Sequence, residues 1–232
     1  FREGRGVDGA QPPNNWPSVF GGQGWTRVTE ADGTPGQWYL HIFDTTQPDL
    51  NWHHPEVHAE FLDILRFWCD RGVDGFRVDV AHGLVKRDGL PDWNGPVGLY
   101  DEVDDTDDTD DTGDADSRSV TSSGGEVLDH TATGAAPMWD QDGVHEIYRE
   151  WRAVLDSYGA PDRILCAEAW VTPESRLARY VRPDEMHQAF NFDFLDAHWD
   201  ATAISSAIEP ALRSNANVGA PTTRALPNHH GV

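Results

Sequence analysis

The sequence predicts an α/β fold forming part of a (β/α)8 TIM barrel. Amphipathic helices alternate with short apolar strands from residue 55 onward, no GxGxxG or P-loop follows any strand, and polar residues gather at strand ends. The alternation fits a doubly wound sheet as well as a barrel, and the missing phosphate loops weigh against the nucleotide-binding sheet. Asp79, Glu168, Asp193 and the Asn228–His229 pair fall at or just after C-terminal strand ends, the face on which a barrel carries its chemistry.

Residues 1–46 hold QPPNNWPSVFGGQGW and QWYLHIF, rich in Gly, Pro, Asn and Trp, and read as loops and short antiparallel strands. Pro55 suits a first helical turn, and Val57, Phe61, Ile64, Leu65 and Trp68 recur on one helical face, with Gly72 as the closing cap. GFRVDVAH (75–82) follows as a strand. A second helix over 143–157 carries Val144, Ile147, Tyr148, Trp151, Val154 and Leu155 on its apolar side. RILCAEAW then reads as a strand, and Thr172 with Pro173 opens a helix through SRLARYV. The strand-like AFNFDFL, a helix near 200–214 that Pro210 kinks, and a strand around 222–228 complete the order. Four strands of such a rhythm leave two open parallel edges, so the chain is expected to need completion by further sequence.

The chain has 232 residues, enough for one α/β domain, and opens on Phe1 rather than Met, as a piece of a longer protein would. Its net charge of −23 argues against nucleic-acid binding, which needs a basic stripe. Ten acidic residues lie between Asp101 and Asp116, so −13 remains without them. An acidic surface suits a salty cytoplasm, and no apolar run approaches the ~18 residues of a membrane span. The low-complexity stretch 101–135 reads as a solvated insertion. Tested as a calcium loop from Asp108, it matches at Asp110 and Gly113 but places Thr112 and Ser119 where ligands are needed. His53, His54, His130 and His145 show no metal spacing, and no metal or cofactor is implied. Cys69 and Cys166 read as buried free thiols. Ten tryptophans fit either a grip on flat, hydroxylated ligands or ordinary core use.

Asp79 and Glu168 each end an apolar strand, on what read as consecutive parallel strands. Strands about 4.8 Å apart can set two carboxyl groups about 5–5.5 Å apart, the spacing of a retaining glycoside hydrolase. Arg77 shares a side of its strand with Asp79 and favours the ionised carboxylate, whereas Glu168 in CAEAW has no cation in sequence, so desolvation raises its pKa. From spacing alone, Arg77 and Asp79 remain either a structural salt bridge or an activated nucleophile.

Several ordered blocks together resemble the α-glucosidase and oligo-1,6-glucosidase branch of the α-amylase superfamily, glycoside hydrolase family 13. QPDLNW (47–52) is similar to the motif that closes the family's small domain B, GFRVDVAH to the nucleophile segment, and AEAW (167–170) to the acid/base strand. PPNNWPSVFGG and MHQAFNFDFL resemble flanking stretches. The resemblance implies the end of domain B over 1–50 and about strands 4–7 of the barrel over 51–232. It implies Asp79 as nucleophile, Glu168 as acid/base and Arg77 as orienting partner, with no cofactor and a small oligosaccharide as the partner. His229 falls on the sugar-binding histidine of the family's Asn-His-Asp motif. His230 stands where the family has the transition-state-stabilising aspartate. His82 falls where related enzymes line the acceptor subsite, and either a substrate contact or a structural hydrogen bond fits it. Val80 resembles the form linked to α-1,6 preference. Trp16, Phe20 and Trp25 fit a sugar platform or ordinary packing.

The implied activity is an exo-acting α-glucosidase working by double displacement. A non-catalytic relative that keeps the scaffold for binding is the alternative, supported by His230, and a glucosyltransferase on the same scaffold shares the chemistry. For the chain as written, little activity is expected, because His230 supplies no carboxylate to the transition state.

Overall fold

The computed structural model describes residues 1–95, 136–195 and 197–223. The acidic stretch 101–135, Asn228, His229 and His230 lie outside the described residues. The N-terminal region pairs β1 (Trp25–Thr29) with β2 (Pro35–Leu40) in an antiparallel hairpin, in register from Trp25 opposite Leu40. Trp16, Trp25, Trp38, Leu40 and Ile42 bury a small core there, joined by Met138 and Trp139 from far along the chain. Trp16 and Trp25 are therefore packing residues, 1% and 3% exposed, and only Phe20, at 70%, faces solvent.

Helix α1 (Pro55–Cys69) starts where Pro55 predicts, with the His54 side chain accepting from the Glu56 N–H. It closes two residues before the sequence suggests. Asp70 is the cap residue, and Gly72 follows in the left-handed region at φ 89°. Of the apolar face read from its periodicity, Leu65 is buried with Cys69, whereas Ile64 and Trp68 are 37% and 47% exposed.

The second sheet is parallel, in the order β3 (Gly75–Val78), β4 (Ile164–Ala167), β5 (Gln188–Ala189). Gly75 pairs with Ile164 so closely that a Cβ there would meet the Ile164 carbonyl oxygen, so this register needs glycine. Helix α2 (Val144–Asp156) packs on α1 and on this sheet through Ile147, Tyr148, Trp151 and Leu155. The Tyr148 hydroxyl donates to the Ala81 carbonyl, tying α2 to the turn after β3.

Beyond β4 the structure departs from the expected elements. Pro173, not Thr172, caps α3 (Glu174–Leu177), no side chain contributes to the cap, and the helix tightens after one turn into a 3₁₀ turn over Ala178–Val181. AFNFDFL is not one strand: β5 ends at Ala189, only an isolated bridge follows at Phe190, and Phe192–Leu195 forms a short helix, α4. The reason is local. Asn191 accepts from the Phe194 N–H at 2.8 Å, a helix N-cap bond that outcompetes the alternating apolar pattern. Helix α5 (Ala201–Val218) runs past the expected end with Pro210 inside, capped by Asp200, which accepts from Thr202 and Ala203. Of the fourth expected strand, Thr223 forms a parallel bridge to Phe190 and the rest lies outside the described residues.

Glu185 anchors this region although it is a fully buried charge. It accepts from His145 Nδ1 at 2.7 Å and from Arg182 Nε at 2.8 Å, and Arg149 lies 3.3 Å away. Buried carboxylates persist only with such pairing.

On α1, Leu65→Ala is expected to cost about 2–5 kcal/mol through an unfilled cavity, whereas Trp68→Ala costs about 1 kcal/mol because its ring is already half in water. Urea midpoints of the two variants check this ordering.

Candidate active site

The parallel register places Val78 beside Ala167, so Asp79 and Glu168 are the next residues on adjacent strands. Backbone bonds extend the ladder past both: the Glu168 N–H donates to the Val78 carbonyl at 2.9 Å, and the Ala81 N–H to the Glu168 carbonyl at 2.7 Å. Between them Val80 adopts φ 45°, a left-handed conformation that β-branched residues rarely take. Strain of that kind is stored where surrounding structure fixes the chain, here by the two flanking backbone bonds.

Arg77 joins the two carboxylates. Its Nη1 donates to Asp79 Oδ1 at 2.8 Å and its Nη2 to Glu168 Oε2 at 2.6 Å. The Asp79 side chain is 69% exposed and that of Glu168 only 3%. Burial, first, raises the Glu168 pKa; a hydrogen bond with Asp79 and the charge of Asp79 raise it further, while Arg77 and the Trp170 N–H oppose the shift. The sequence expectation of a Glu168 without a cation is thus corrected: Arg77 reaches across the strands, and desolvation together with Asp79 outweighs it. Of the two carboxyls, the buried one is therefore the one whose protonated form is favoured.

His82 is buried at 1% exposure, its ring 5.1 Å from that of Trp139, and its Nδ1 has no partner among the described residues. Burial, with the nearby Lys86 charge adding to it, pushes its pKa down to about 3. Lys86 is itself buried and bonds Asp49 Oδ1 at 2.7 Å. The other Asp49 oxygen accepts from the Ile42 N–H at 2.7 Å, so QPDLNW fastens the N-terminal region to the turn after β3.

Asp193 belongs to the first turn of α4 rather than to a strand end. It acts on Glu174, which burial and then the Asp193 charge push up to about 7 against a hydrogen bond from Asn191. Sequence reasoning missed two contacts at the site, Arg77 to Glu168 and the Trp170 indole N–H, 3.4 Å from Glu168 Oε1. The second had a signal, since Trp170 stands two residues from Glu168 just as Arg77 does from Asp79. Among the described residues no group of His, Cys, Asp and Glu forms a metal cluster, and no helix is long and apolar enough to cross a membrane. Cys69 and Cys166 are free, Cys69 buried and Cys166 partly so.

A cavity of about 450 Å³ opens between α1 and β3, lined by Leu65, Trp68, Phe76 and Trp151 with Arg77 and Asp79 at its edge. Its apolar walls adjoin the edge of β3, which has no second neighbour among the described strands.

Parallel strands with crossover helices and polar groups just past adjacent strand ends are the architecture of an α/β barrel. Residues 1–221 match the model of the α-amylase catalytic domain, and the chain belongs to the α-amylase family. Its described part is a segment of that (β/α)8 barrel. It is 34% identical over 199 residues to an α-glucosidase of Culex pipiens, covering 81% of this chain and 28% of that protein. It is 47% identical over 87 residues to a probable oligo-1,6-glucosidase of Bacillus subtilis, covering 38% of this chain and 15% of that protein. Among solved structures, the α-glucosyl transfer enzyme XgtA superposes at a TM-score of 0.72 with 25% identity, over 100% of this chain and 38% of that one. The chain thus spans under a third of the curated relatives it is compared with here.

The lowered His82 pKa has a consequence for stability. Its folded value, about 3, lies below the ordinary 6.5, so the neutral ring's contribution is fully present above pH 6.5 and is lost as pH falls below it. His82→Phe is expected to flatten the stability–pH profile between about pH 6.5 and 5 by up to about 1.4 kcal/mol per pH unit. Urea unfolding across that window measures it.

Proposed function

We propose that this chain carries the nucleophile and the acid/base of a retaining α-glucosidase acting on small α-glucosides. One observation carries the proposal: a single guanidinium binds two in-register carboxylates, one solvated and one buried with its pKa raised. Asp79 attacks the anomeric carbon, and Glu168 protonates the leaving oxygen. A covalent glucosyl-Asp79 forms, and Glu168 then takes a proton from the water that hydrolyses it. The likeness to an oligo-1,6-glucosidase and an α-glucosidase supports the substrate class. Arg77 Nη1, 2.8 Å from Asp79 Oδ1, orients the nucleophile for that attack.

His82 enters the proposal as a substrate-binding wall residue whose unpartnered Nδ1 meets a sugar hydroxyl only after a neighbour moves. His229 binds sugar hydroxyls, and His230 occupies the position of the missing carboxylate. The substitution at 230 favours a second reading, in which the scaffold binds sugar without turning it over. Transfer to an acceptor other than water uses the same residues, and XgtA is described as an α-glucosyl transfer enzyme.

Release of glucose from p-nitrophenyl α-glucoside is the expected activity, and Asp79→Asn brings it to the uncatalysed background. Undiminished hydrolysis by that variant refutes the assignment. Binding without turnover supports the second reading, and a glucosylated acceptor among the products identifies transfer.

His230→Asp restores a group acting mainly in the transition state, so kcat is expected to rise while KM changes little. Paired kinetic runs of parent and variant read this split.

A further inference from the structure

Trp170 lies beside the buried carboxyl rather than in open solvent. Its Nε1 stands 3.4 Å from Glu168 Oε1, while the other oxygen, Oε2, receives Arg77 Nη2 at 2.6 Å and approaches the Val80 N–H at 3.5 Å. The two oxygens thus face different donors. The indole is fixed from its far side, stacked face to face on Phe192 with centroids 3.5 Å apart and planes 10° from parallel. Phe192 is 6% exposed and opens α4, where the buried Asn191 accepts from the Phe194 N–H and donates to Glu174 at 2.7 Å. A continuous set of packed and bonded groups therefore runs from α3 through α4 to the Glu168 carboxyl.

An indole N–H only donates. It has no acceptor to offer a protonated carboxyl oxygen, and it bonds well to the carboxylate left once the proton has gone. We propose that Trp170 is a positioning residue for Glu168, holding Oε1 through its N–H and favouring the ionised carboxyl that appears when the acid gives up its proton. This rests on Glu168 being the acid/base. The stack on Phe192 supplies rigidity, and the N–H supplies the electrostatic effect. The two are separable, because Trp170→Phe keeps an aromatic ring for Phe192 and removes the donor.

The test needs no turnover. In ¹H–¹⁵N spectra the Trp170 indole resonance, assigned by its loss in Trp170→Phe, is expected to move with pH, and that movement disappears in Glu168→Gln. In Trp170→Phe the Glu168 carboxyl, followed by ¹³C labelling, is expected to titrate at higher pH, its ionisation constant lowered about three- to tenfold. An indole resonance that ignores pH, or that titrates unchanged in Glu168→Gln, overturns the proposal. So does an unchanged Glu168 titration in Trp170→Phe. If Trp170→Phe fails to fold, the comparison of the parent with Glu168→Gln still decides, with the indole resonance then assigned by through-bond connectivity. Failure of the hydrolase assignment appears in glucoside hydrolysis and leaves these titrations readable.

Discussion

The structure depends on one guanidinium placed between two strand ends. Arg77 and Glu168 sit on neighbouring parallel strands whose register, Arg77 opposite Cys166 and Val78 opposite Ala167, aims their side chains at the same point. Two carboxylates this close do not both ionise freely, and the fold resolves the conflict by giving them unequal surroundings. Asp79 extends into water with one arm of Arg77, while Glu168 is enclosed, so protonation is favoured on the buried partner. A shift of the register by one residue would turn one carboxylate to the opposite face of the sheet and leave Arg77 a single partner.

That register is held from behind. The left-handed Val80 closes a tight turn whose backbone bonds lock onto Glu168, and Tyr148 grips the same turn from α2. Helix α2 is in turn fixed by His145 against the buried Glu185 and by Trp151 stacked on Phe61 at 9°. Exposed functional groups on a few well-anchored residues are the arrangement a preorganised site needs.

How much of this was legible in the sequence varies with the range of the interaction concerned. Helices α1 and α2, the Asp79 strand and the Glu168 strand follow from periodicity and punctuation, which are local. Helix α4 was not legible as a helix, because FNFDF alternates like a strand while one side chain, Asn191, decides the turn. The contact of Arg77 with Glu168 spans 91 residues of chain, and no local pattern records it. His82 was left between ligand and structural residue. Its 1% exposure depends on Trp139, 57 positions on, which the sequence does not link to it. Glu185 was missed for the same reason, since a charge in RPDEMHQ reads as surface until Arg149, Arg182 and His145 are seen around it.

The cavity beside β3 shows why proximity to paired carboxylates does not define a sugar site. Hexoses are bound by polar groups placed to meet hydroxyls, with one or two aromatic faces. Most of this cavity's wall is apolar, with Leu65, Phe76, Trp151 and the half-exposed Trp68, and its polar side chains are Gln47, Asp49, Arg77 and Asp79. Such a wall is the chemistry of helix-on-sheet packing. It adjoins the unpaired edge of β3 and the exposed Ile64 of α1, the two surfaces a further strand and helix of a barrel cover. The paired carboxylates lie instead at the C-terminal strand ends. There Arg77 and the Trp170 N–H both meet the Glu168 carboxyl.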